Sequence, residues 1–134
     1  MRVVEVMVEH SEKNLSAYIE GAPIVTVGST IKEIEEHTKE AIDLYLESCN
    51  ELEITPVPLL QGTFQLNFKI DAATFINYYS GIFTKAALSR ITGINERQLW
   101  HYAAGIHKPR KQQLEKIQKG IEALTSELSA ISIS

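Results

Sequence analysis

The stretch TKAALSRITGINERQLWHYAAGIHKPR, residues 84–110, contains two helix starts with a glycine between them, and a glycine and a proline at its exit. Thr84 can cap a helix over Lys85 to Ile91, and Asn95 one over Glu96 to Ala104 that Gly105 ends. In both cases a side-chain oxygen accepts from an otherwise unpaired N–H of the first helical turn. Leu88, Ile94, Leu99 and Tyr102 fall where two such helices share a core. Small Ser89 lets them approach, and Gly93 supplies the turn. The second half of the chain is therefore expected to be helical.

Pro109 precedes a further helix, Lys111 to Ala130, whose apolar positions Leu114, Ile117, Ile121, Leu124, Leu128 and Ile131 step 3, 4, 3, 4, 3. That stripe is heptad-like, and Gly120 is expected to weaken it. Packing on the preceding helices accounts for Leu114 and Ile117. The later positions reach beyond so small a bundle and point to a partner or to the first domain. On the other side, Asp71 can cap a short helix through Tyr79, with Phe75, Ile76 and Tyr79 inward, which SGIF then breaks.

The first half has another periodicity. Val3 to Glu9 and Leu15 to Glu20 read as a hairpin, and Ile24 to Gly28 as a short third strand or an extended lead-in. Thr30 and Glu33 form a capping box, the hydroxyl accepting from the Glu33 N–H and the carboxylate reaching back to the cap. From there Ile31, Ile34, Thr38, Ala41, Ile42, Tyr45 and Cys49 make one apolar helix face opposite a charged one. The prolines of TPVP end that helix. Phe64, Leu66, Phe68 and Ile70 then alternate with polar residues as a last strand, Thr63 to Ile70. A boundary near Asp71 gives two domains, 1–70 and 71–134.

The net charge of −4 over 134 residues divides unevenly. Residues 1–70 hold five Lys or Arg against twelve Asp or Glu, a net of −7; residues 71–134 hold eight against five, a net of +3. Halves of opposite sign suit partners of opposite sign. The single cysteine, Cys49, forbids an internal disulfide and a thiolate-rich metal site. No paired-His spacing occurs, so neither metal nor cofactor is expected. Apolar runs fall short of the ~20 residues that span a bilayer, and the acidic start MRVVEVMVEH is unlike a signal peptide. A cytoplasmic protein without membrane attachment is the expectation.

Residues 84–102 have the spacing of a helix-turn-helix, and YAAGIHKP resembles the segment directly after the recognition helix in the Cro and phage-repressor class. At about 100° per residue, Leu99 and Tyr102 set the buried side, so Arg97, Trp100, His101 and Ala104 face outward with Glu96 beside them. Base reading is assigned to Glu96, Arg97, Trp100 and His101. Arg97 matches guanine O6 and N7, Glu96 can accept from cytosine N4, and Trp100 can touch a thymine methyl. Phosphate contact is assigned to Lys85, Gln98, Lys108, Arg110 and Lys111. A homodimer or higher even oligomer on a palindromic operator is expected from half-site geometry.

Taken together, GSTIKEIEEHTKEAIDLYLE resembles the signature helix of HicB-type antitoxins, and NYYSGIFTKAALSRITGINERQLWHYAAGIHKPR resembles the helix-turn-helix tail of one branch of that family. The resemblance covers roughly residues 1 to 130. It implies an α+β chain in which a reduced RNase H-like β-β-β-α-β domain (1–70) neutralises a small basic HicA-type mRNA interferase. The all-α domain (71–134) would then bind operator DNA and repress the operon. EGAPIVTVG keeps only Pro23 of the family's "PD-PGC" lead-in, so no toxin-contacting residue is assigned.

Two other functions compete. The RNase H comparison raises metal-dependent phosphoryl chemistry on Glu5, Glu9 and Glu20. Glu5 and Glu9, however, share a strand face with Val3 and Met7, opposite Val4, Val6 and Val8, and either face suits solvent. No enzyme is expected. The remaining alternative is a stand-alone helix-turn-helix transcriptional regulator whose N-terminal domain senses a ligand or dimerises.

Overall fold

The computed structural model describes all 134 residues. The chain is α+β, with a four-stranded mixed sheet and five α-helices, and divides into two units, Met1–Asp71 and Ala72–Ser134. The division falls one residue past the boundary expected from sequence. No helix is long and apolar enough to cross a membrane.

In the first unit β1 (Arg2–Ser11), β2 (Asn14–Ile19) and β3 (Ile24–Gly28) run antiparallel in sequence, and α1 (Ile31–Glu51) carries the chain back to β4 (Phe64–Ile70). β4 joins β1 in parallel, giving the order β3-β2-β1-β4. The connector expected at the prolines holds a 3₁₀ turn, Pro58–Leu60. The Arg2 guanidinium donates to the carbonyls of Pro58, Leu59 and Gln61, which ties that turn to the start of β1.

β1 settles which of its faces is wet. Val4, Val6 and Val8 are almost wholly buried, while Glu5 and Glu9 are exposed on the other side. α1 lies over β3 and β2, and it buries Ile34, Thr38, Ile42 and Cys49. Its N-terminus differs from the expected capping box. Thr30 Oγ1 accepts from the Glu33 N–H at 3.1 Å as expected. The Glu33 carboxylate, however, takes its bonds from the N–H and hydroxyl of Ser29 (3.1 and 2.6 Å). Ser29 offers two donors one residue further out, so the carboxylate goes there and its pKa is held below the ordinary 4.5.

The second unit packs α2 (Ala72–Tyr78), α3 (Lys85–Thr92), α4 (Glu96–Ala103) and α5 (Lys111–Ser129) around Ile76, Leu88, Ile94, Leu99 and Tyr102. α2 and α4 each end one residue earlier than expected, leaving Tyr79 and Ala104 just outside. Two expectations for α5 are corrected. Leu114 is 47% exposed and Ile117 alone of that pair packs on the core; no α5 residue is fully buried. Gly120 is the crossing point with α3, because a Cβ there would sit 2.6 Å from the Ile91 carbonyl oxygen. Read from periodicity it is a weak spot, but in the fold it lets two backbones approach.

Candidate nucleic-acid interface

The α3–α4 pair is built by local hydrogen bonds. Thr84 Oγ1 accepts from the Ala87 N–H at 3.0 Å and Asn95 Oδ1 from the Gln98 N–H at 2.8 Å, so each helix starts where its cap dictates. Between them Gly93 has φ of 77°, the left-handed region that costs a Cβ-bearing residue about 1 kcal/mol or more. Thr92, whose role sequence reasoning missed, is buried and donates to the Leu88 carbonyl at 2.7 Å while accepting from the Ile94 N–H at 3.2 Å. A threonine directly before the turn glycine was the available signal. Across the unit, Asn77 Nδ2 donates to the Ala103 carbonyl at 2.8 Å and closes the end of α4 on α2.

The residues expected to read bases do not form one uniform face. Glu96 and Arg97 are exposed on the first turn of α4, and Trp100 is 57% exposed one turn on. His101 is half-buried instead. Its ring packs against His107 with centroids 5.0 Å apart, and its Nδ1 is enclosed without a hydrogen-bond partner. The chain after α4 folds back to make this contact, the N–H of Ile106 donating to the His101 carbonyl at 3.0 Å. Such a return is set by Gly105 and the loop, not by the helix period.

The residues expected to hold phosphate fall in three places. Lys85 is half-buried, with its ammonium 4.1 Å from the centroid of the Trp100 ring, a cation–π distance. Gln98, Lys108 and Arg110 line an open concavity with Lys116 and Gln113, and no carboxylate lines it. Lys111 is exposed at the first position of α5 and lies outside that lining. Lys116 is a cation that the sequence reading left out.

Chemically, the exposed first turns of α4 offer a planar five-donor fork at Arg97, a carboxylate acceptor at Glu96 and an apolar plane at Trp100. That combination suits base edges in a groove. The concavity beside it offers three cations and three amides, with Tyr102 and His107 and no carboxylate, which suits an anionic backbone. On the first unit, Glu5 is paired with Lys69 at 3.2 Å and Glu9 accepts from the Tyr18 hydroxyl at 3.5 Å. No group of three or more His, Cys, Asp or Glu is arranged to hold a metal ion. No family model, curated protein or solved structure matches the chain.

Proposed function

We propose that this chain is a HicB-type antitoxin. In this reading residues 1–70 bind and neutralise a small basic mRNA interferase, and the second unit represses the operon through a helix-turn-helix formed by α3 and α4. The observation that carries it is the pairing of an acidic α+β unit with a basic helical one whose capped α4 presents Arg97 and Trp100 to solvent. The strand order, with β4 returning parallel to β1 after α1, is compatible with a reduced RNase H-like arrangement. The chain acts by occupancy of its partners, without catalysis or cofactor. It works in the cytoplasm as a two-fold dimer or higher even oligomer on a palindromic operator.

The test uses the full chain with a duplex from upstream of its own reading frame and with the small basic protein encoded beside it. Retarded DNA and suppressed RNA cleavage are the expected pair of results, and Arg97→Ala is expected to cost about 1–3 kcal/mol on that duplex with relaxed sequence preference. Binding to neither partner sinks the proposal. DNA binding without any basic neighbour replaces it with the stand-alone regulator.

A further inference from the structure

β4 is an edge strand, and the side chains it turns toward α1 are incompletely covered. Phe64, Leu66 and Phe68 are all half-buried, whereas Val4, Val6 and Val8 on the neighbouring β1 are sealed. The cause lies in where α1 sits: it covers β3 and β2 and leaves the β4 side of the sheet open. A groove of ≈ 540 Å³ remains between α1 and β4, floored by Phe64, Leu66, Phe68 and Leu46 and walled by Glu35 and Asp43. Lys39 is the only cation on that wall.

The charge of the wall decides what can fill the groove. The wall itself sets Glu35 and Asp43 against Lys39, on a helix that carries seven carboxylates and two lysines in all. Two copies of this chain meeting groove to groove would bring together two net-negative walls, each with Glu35 and Asp43 against one lysine, and like-charge juxtaposition across an interface costs affinity. A cationic partner gains from the same wall while its apolar side chains cover the phenylalanines.

We propose that the α1–β4 groove is the docking site for a cationic partner protein, which lays apolar side chains over Phe64, Leu66 and Phe68 and sets lysines or arginines against Glu35 and Asp43. The proposal rests on the reading that the first unit neutralises a small basic protein, and it names the surface used. Glu40 and Glu47 lie on α1 away from the groove lining and supply a matched control.

The full chain is titrated calorimetrically with the small basic protein encoded beside it. Glu35→Lys/Asp43→Lys is expected to weaken binding by about 10-fold or more and to flatten its salt dependence. Glu40→Lys/Glu47→Lys, the same charge change elsewhere on the helix, is expected to weaken it by about 3-fold or less. Unchanged far-UV dichroism and retained cooperative thermal unfolding check that both variants fold, since all four positions are exposed. Equal losses in the two pairs, or no loss in the first, overturn the groove while leaving the neutralisation reading intact. No association of the unaltered chain overturns both.

Discussion

The ammonium of Lys85, at the start of α3, rests 4.1 Å from the ring centroid of Trp100 on α4. The ring stays more than half exposed on a short helix, with a cation held over it. Trp100 is the only tryptophan, so its emission reports on this one place. If the proposed DNA-reading surface is correct, operator DNA will cover the ring and shift its emission. A spectrum unchanged at saturating DNA would place Trp100 outside the interface. Lys85→Met is expected to alter the emission of the free protein by removing the cation.

Gly120 gives a second prediction, with two opposed effects. Alanine in place of glycine favours an exposed helix by about 1 kcal/mol. Here, however, the new methyl would meet the Ile91 carbonyl oxygen at 2.6 Å, and backbone cannot swing aside as a side chain does. The clash outweighs the propensity. Gly120→Ala is therefore expected to destabilise the second unit by about 1–3 kcal/mol in urea unfolding; a stabilised variant would refute the close α3–α5 crossing.

Thr92 is expected to matter for the turn and not for packing volume. Valine keeps the shape but leaves the buried Ile94 N–H without its acceptor. The loss should be about 1–3 kcal/mol in the same measurement. Thr92→Ser, which keeps the hydroxyl, should recover most of it.

His37 provides a pH dependence. Its Nδ1–H donates to the Val27 carbonyl at 2.6 Å, and that bond, aided by Glu40, Glu33 and Glu36, raises its pKa above the ordinary 6.5. A raised folded-state pKa contributes stability that is fully present below 6.5 and is lost as pH rises through the folded value. The thermal midpoint is thus expected to fall on going from mildly acidic to mildly alkaline buffer. In His37→Gln that slope should flatten, and a nuclear magnetic resonance titration of the ring should give a midpoint above 6.5. An unaltered slope in the variant would assign the pH dependence to other groups.

Much of the fold was legible because its signals are local. Thr30, Thr84 and Asn95 cap the helices they were expected to cap, since a cap bond spans three residues and needs nothing distant. Period two in β1 and β4, and the apolar face of α1, likewise survive into the structure. The exposure of Glu96, Arg97 and Trp100 came from helical angle alone. His101 did not, because the helix period cannot register the loop that returns His107 onto its ring.

By itself, then, the sequence determined where helices begin and which strand residues alternate, along with the separation of acidic and basic halves. These depend on bonds and spacings within a few residues. Only the tertiary structure decided that Gly120 is a crossing with Ile91, and that α1 covers β3 and β2 but leaves β4 open. Each of these depends on which surfaces finally meet. Helix placement over a sheet and backbone approach between helices are set by the summed packing of distant side chains, which no local pattern encodes.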